Sequence, residues 1–268
     1  MLDRLETELK LRGFSDMTVR TYVKQNKLFL DHIKKNPEDV TEEDIRGYLA
    51  SQMSEHKSAI RTISLKKAAL KFFYDELLKK GIVNLKTPKT PKDIPDVLTK
   101  DEVKALIDNA GSKKTKLIIQ FLYSTGLRVS ELVGLKKNNL NLKEGEGWVR
   151  AGKGNKDRFF KIPDSLKGDL ELFIKELETE YLFAGKNGHI STRNIQKILQ
   201  SAGQRAGINK RSNPHQLRHA YATHLLNSGV DIRLIQELLG HSSLSTTQLY
   251  THVSKEQLKK IKSPLDSL

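Results

Sequence analysis

Three prolines, Pro88, Pro91 and Pro95, fall within one lysine-rich stretch of a chain that on either side places apolar residues at helical spacing. A proline ring fixes φ and removes a backbone donor, so neither a helix nor a central strand runs through such a stretch. With lysines between the prolines, it reads as an extended linker. Residues 85–95 therefore divide the chain of 268 residues into two folding units, 1–84 and 96–268. Each is long enough to bury a core of its own.

The first unit reads as helix almost throughout. Leu2, Leu5 and Leu9 recur at helical spacing, as do Val19, Tyr22 and Val23, then Leu30 and Ile33. Thr41 stands before Glu42, Glu43 and Asp44, a cap followed by the acidic first turn that the helix dipole favours. That helix carries Ile45, Tyr48, Leu49 and Met53. A fourth, over 58–80, buries Ile63, Leu70 and Phe73 and stops at Gly81. The expectation is a small four-helix bundle.

The second unit is mixed. Thr99 and Glu102 have the spacing of a capping box that starts a helix. Residues 117–123 are almost continuously apolar and run up to Gly126, the pattern of a buried helix. Three β-prone runs, 139–142, 147–151 and 158–162, are separated by Gly- and Asn-rich turns and predict a small antiparallel sheet. Helical periodicity returns from about 165 to the end. The expected class is mainly α, with an α+β second domain.

The chain holds 47 Lys and Arg against 32 Asp and Glu, a formal net charge of +15. Residues 1–84 contribute a surplus of only 3, residues 85–268 one of 12. Such an imbalance points to a polyanionic partner; solubility or a hot environment is the alternative source. With no cysteine, disulfides, thiolate metal sites and cysteine nucleophiles are excluded. No apolar run approaches the roughly 18–20 residues of a membrane helix. The start of the chain is charged from Asp3 and lacks the apolar core of a signal peptide, so a cytoplasmic protein is expected.

The residues that carry chemistry lie in the second unit. Arg128, within Gly126-Leu127-Arg128-Val129-Ser130-Glu131, follows a helix end. An arginine fork can hold two phosphate oxygens at once, although an Arg128–Glu131 pair is equally a structural device at a helix start. Lys153 lies at the tip of the expected hairpin, in Gly152-Lys153-Gly154-Asn155-Lys156. From a flexible loop its ammonium can protonate a leaving oxygen; Lys156 competes for that role. Pro214 suits a first helical position, so His215 and Arg218 share a face near a helix N-terminus, a natural anion site. His219 shares roughly that face, and spacing does not choose between the two histidines. The pair also has the spacing of a helical zinc site, but the glutamate of that motif is missing and Arg218 repels a cation, so no metal is expected. His241 follows Gly240 at the end of an apolar helix, where a histidine is usually a cap. Tyr250 has a phenol that is a poor nucleophile until cationic neighbours favour the phenolate. The other six tyrosines read as packing.

Taken in order, these stretches, with Leu239-Gly240-His241-Ser242-Ser243 and Leu249-Tyr250-Thr251-His252, resemble the active-site set of the tyrosine recombinases, the lambda-integrase type. The likeness spans the whole chain and is strongest to the Xer recombinases; abundant lysine and absent cysteine are compatible with an archaeal member. It implies a SAM-like core-binding domain over 1–84, a linker over 85–95 and a catalytic domain over 96–268. It implies Arg128 and Arg218 as a phosphate clamp, with Glu131 orienting Arg128. It makes Lys153 the general acid, chooses His215 over His219, and has His241 donate to a phosphate oxygen. Tyr250 becomes the nucleophile, forming an O-(3′-phospho-DNA)-tyrosine, with two arginines, a lysine and two histidines as the neighbours that favour its phenolate. The covalent link conserves phosphodiester energy, so no cofactor is implied. The resemblance further implies double-stranded DNA with a dif-like site, a tetramer in the synaptic complex, and resolution of chromosome dimers. It also favours docking of the tail, through Leu258, Ile261 and Leu265, on a neighbouring protomer, with docking on its own domain or fraying as the alternative. A phage or mobile-element integrase is the same-class alternative, and a type IB topoisomerase shares the chemistry. A non-catalytic DNA-binding protein is the rival of another class.

Overall fold

In the computed structural model of the protein, residues 1–55, 59–85, 96–150, 157–185 and 188–240 are described. The chain divides into two compact units, Met1–Asp93 and Ile94–Leu268. The first holds α1 (Leu2–Leu11), α2 (Asp16–Ile33), α3 (Glu42–Ser54) and α4 (Ile60–Lys71). The Thr41 side chain accepts from the Asp44 N–H at 3.3 Å while Asp44 Oδ2 accepts from the Thr41 N–H at 2.9 Å, a reciprocal capping box. Leu5, Leu9, Phe29, Ile45, Ile63, Phe73 and Tyr74 form the core.

Helix α3 carries Ile45, Tyr48, Leu49 and Met53 as expected, the first three buried and Met53 39% exposed. One expectation for this unit needs correcting. The fourth helix is not one α-helix through 58–80: α4 ends at Lys71 and passes into a wider π-turn over Phe72–Leu77. Phe72, Phe73 and Tyr74 are all buried. An α-helix turns consecutive side chains about 100° apart, which spreads three in a row too far for one core. The wider turn narrows that spread.

The second unit begins with α5 (Lys100–Asp108), α6 (Lys113–Thr125) and the short α7 (Val129–Val133). Strands β1 (Leu140–Asn141), β2 (Glu146–Val149) and β3 (Arg158–Lys161) pair antiparallel in chain order. Then come α8 (Asp164–Lys175), the hairpin β4 (Ala184–Gly185) and β5 (Gly188–His189), α9 (Thr192–Arg205), α10 (Pro214–Asn227) and α11 (Ile232–Leu239). The β4–β5 hairpin interrupts the helical run expected from 165 onward, because Gly185 and Gly188 break the helical pattern. The Thr99–Glu102 box caps α5 as expected.

Helix α6 is the centre of the core. Ile118, Ile119, Phe121 and Leu122 are buried, with the Phe121 ring against Phe160 of β3 at 5.8 Å and Phe183 at 6.1 Å. The sheet puts Val149 and Phe160 on this core, while Trp148 and Phe159 pair on its outer face at 5.5 Å. Leu217 and Ala220 of α10 join the same core, so α6 and α10 are tied together through it. Among the described residues no helix is long and apolar enough to cross a membrane.

Candidate active site

Helix α6 stops where Gly126 takes the left-handed φ of 60°. A Cβ at that position would lie 2.5 Å from the Tyr221 ring and 2.9 Å from Leu239, so conformation and close packing both call for glycine. After buried Leu127 the chain enters α7 with Arg128 as its N-cap residue. Glu131 accepts from the Arg128 main-chain N–H at 2.8 Å and from Nη1 at 2.6 Å. The Nη2 of Arg128 donates to the Gly240 carbonyl at 3.0 Å.

Helix α10 opens at Pro214, and the Asn213 side chain caps it by accepting from the Gln216 N–H at 3.0 Å. Arg218 follows one turn later and is only 3% exposed. Its Nη1 donates to the Gly126 carbonyl and its Nη2 to the Leu239 carbonyl, each at 2.5 Å. Two arginines far apart in sequence thus end on successive carbonyls at the close of α11. That helix ends at Gly240 with φ of 60°, and its terminal carbonyls carry the negative end of the dipole, which cations complement.

A third arginine completes the arrangement. Arg158, the first residue of β3, is buried, donates from Nη2 to Glu131 Oε2 at 2.6 Å, and donates from Nη1 to the Leu238 carbonyl. Burial alone would raise the Glu131 carboxyl. The charge of Arg158, then the hydrogen bonds from Arg128 and Arg158, outweigh it and hold Glu131 below its ordinary range.

His215 and His219 lie together, Nε2 to Nε2 at 2.9 Å. Burial, then the charge of Arg218, lowers His215; burial, then His215 and Arg218, lowers His219 to about 4. Both imidazoles are therefore neutral near pH 7, and their shared hydrogen bond requires complementary tautomers. In that state His215 can accept a proton or exchange hydrogen bonds. A groove of about 640 Å³ opens beside it, lined among others by Gln196, Gln200, Lys210, Arg211 and Asn213.

Of the residues singled out from sequence, the structure brings Arg128, Glu131 and Arg218 to one place, with His215 on the same helix as Arg218. Lys153, Lys156, His241 and Tyr250 lie outside the described residues, as do residues 86–95 of the expected linker 85–95 and the tail. The choice of His215 over His219 is not one that packing makes, since the two rings touch. His189 donates from Nδ1 to the Ile190 carbonyl, and His224 shares a hydrogen bond with the Tyr123 hydroxyl at 2.8 Å, in keeping with structural roles. Arg158 escaped the sequence reading. Its signal was the alternation of Arg158 with Phe160, which sets a cation at an inward position of a β-run.

The pattern of the Phage integrase family matches residues 96–257, and that of the Phage integrase, N-terminal SAM-like domain, matches residues 1–83. The chain is 41% identical over 268 residues to the tyrosine recombinase XerA of Pyrococcus furiosus, covering 97% of this chain and 91% of that one. To the tyrosine recombinase XerD of Oceanobacillus iheyensis it is 37% identical over 274 residues, with 92% and 91% covered. A crystal structure of XerA recombinase matches with a TM-score of 0.58 at 34% identity, over 96% and 95% of the two chains. XerH bound to its difH substrate before cleavage shares the fold, with a TM-score of 0.75 at 22% identity over 97% and 82%.

Proposed function

The chain belongs to the phage integrase family and is a tyrosine site-specific recombinase, and from that premise we propose that it resolves chromosome dimers at a dif-like site in double-stranded DNA, through a covalent link to Tyr250. The phenolate oxygen of Tyr250 attacks the scissile phosphorus, the bond to the 5′ oxygen breaks, and a 3′-phosphotyrosyl link forms. The freed 5′-hydroxyl of one strand then attacks the link on the partner strand and releases the tyrosine. One phosphodiester is exchanged for another, and nothing is oxidised or consumed.

Such a reaction needs position and charge more than covalent help. Arg128 and Arg218 hold the two non-bridging oxygens, whose spacing suits arginine forks. Neutral His215 can take the tyrosine proton. Lys153 gives a proton to the leaving 5′ oxygen, and His241 donates a hydrogen bond to the phosphate. The observation that carries the reading is the convergence of Arg128 and Arg218 on the successive carbonyls of Gly240 and Leu239, with Glu131 fixing the first and His215 one turn before the second. Carbonyl oxygens stand there as partners for the donors that phosphate oxygens would take. In this reading four protomers bind two synapsed sites in the cytoplasm, and the tail after Tyr250 couples neighbours.

Tyr250→Phe should bind DNA normally and form no covalent complex, because only the nucleophilic oxygen is lost. A phosphotyrosyl adduct from that variant moves the nucleophile elsewhere. Sequencing the DNA trapped on the wild-type chain decides the biological role. One chromosomal site per replicon supports dimer resolution, whereas the ends of a mobile element make the protein an integrase.

A further inference from the structure

Arg158 faces Val149 as the last pair of the β2–β3 ladder, two residues after Lys156 in the sequence. The burial pattern of β3 turns Arg158 and Phe160 toward the core. A cation at such a position needs partners, and it finds them on two other elements, Glu131 Oε2 at 2.6 Å and the Leu238 carbonyl. Glu131, whose side chain is 6% exposed, holds the main chain and the guanidinium of Arg128 with the same carboxylate. The backbone of Gly240 passes so close that a Cβ there would lie 2.6 Å from Arg158 Cδ, and His241 comes next in the chain.

We propose that Arg158 is a positioning residue for strand cleavage, holding Glu131 and the end of α11 in register so that Arg128 is aimed at the phosphate. This rests on the reading of Arg128 and Arg218 as the phosphate clamp. Packing alone does not call for a charge here, since apolar side chains of similar volume commonly replace both members of a buried ion pair without loss of stability. The charge acts on Glu131. Burial opposes ionisation of that carboxylate, and Arg158 is the largest influence working the other way. Without it Glu131 would take up a proton more readily or turn from Arg128, and the guanidinium would lose its aim.

The test uses Arg158→Met and Arg158→Lys in the full chain, with a nicked duplex carrying the site recovered from wild-type adducts. Half-site binding, covalent adduct rate across pH, and thermal unfolding are measured together. Arg158→Met should bind within about threefold of wild type and cleave about a hundredfold more slowly, the loss that a small misplacement of a reacting group produces. The acid limb of its cleavage profile should move to higher pH. Arg158→Lys restores a charge but cannot span both partners, and should recover about tenfold of the rate and part of the shift in the acid limb. Wild-type cleavage by the methionine variant overturns the proposal. So does a loss that only follows the folded fraction with the acid limb unmoved. If the methionine variant does not fold, the lysine variant decides: wild-type cleavage overturns, and slow cleavage with normal binding supports. Failure of the underlying reading looks different, because the wild-type chain itself then traps no DNA.

Discussion

Arg128 and Arg218 make the same kind of contact from opposite surroundings, and their variants should differ accordingly. The Arg128 side chain is 28% exposed, whereas Arg218 is 3% exposed and joins two carbonyls from separate segments. Arg128→Ala should lower cleavage by two orders of magnitude or more, about 3 kcal/mol of transition-state stabilisation, with little change in thermal unfolding. Arg218→Ala should lower both, because it also leaves buried carbonyls without donors. Equal unfolding midpoints for the two variants would contradict this difference. His219 yields a pH prediction. Its folded pKa of about 4 lies below the ordinary histidine value, so its contribution is present above roughly pH 6.5 and is lost as pH falls toward the folded value. In His219→Gln the acid loss of stability between those limits should be shallower by at most about 1.4 kcal/mol per pH unit. Urea midpoints at several pH values measure it, and parallel curves for variant and wild type would refute it. At this scale the residues alone left Arg128 and Glu131 open between a phosphate clamp and a structural pair, and only the family resemblance singled out Arg128, Glu131 and Arg218 together. Arg158 was missed because a basic residue after a lysine-rich loop looks solvated until the strand's facing is known.

The elements most legible in sequence were those with a cap or a glycine stop. Thr41, Thr99 and Pro214 begin helices where expected, and Gly126 ends one. Local hydrogen bonding decides these features, and local sequence records it. The π-turn after α4 and the β4–β5 hairpin were not legible, because the first answers to three aromatics seeking one core and the second is only two residues per strand. Gly240 is an element boundary where two demands meet, a left-handed φ and the passage of Arg158. Gly240→Ala should therefore destabilise by about 1 kcal/mol for the backbone alone, and further for the displaced guanidinium. It should also slow cleavage, since both Arg128 and Arg158 end on this terminus. A variant with unchanged thermal unfolding and unchanged adduct rate would show that neither demand matters.

For the molecule as a whole, charge was the most direct message of the sequence. The surplus of 12 in residues 85–268 predicts DNA affinity dominated by counterion release. If about 6 phosphates are neutralised, the log–log slope of affinity against salt should be roughly −5. Titration of half-site DNA between low and moderate salt measures it, and a slope near zero would mean that the surplus serves solubility alone. The candidate site itself was only partly legible at this scale, because its geometry depends on α6, α7, β3, α10 and α11 meeting, and no local pattern encodes that meeting.

The arginine contacts join the end of α11 to residues far upstream, Arg128 to Gly240 and Arg158 to Leu238. Contacts of such long sequence separation form late, after the loops between them have been closed. On the ribosome the order is stricter still, because an unfinished chain that has just exposed all three arginines has not yet made the carbonyls of Leu238, Leu239 and Gly240 that receive them. The first unit can fold as soon as it emerges, since its core needs nothing beyond Leu85. A nascent chain thus has a folded first unit before it has a site that cuts, and a chain released too early would lack the geometry to leave a broken strand behind.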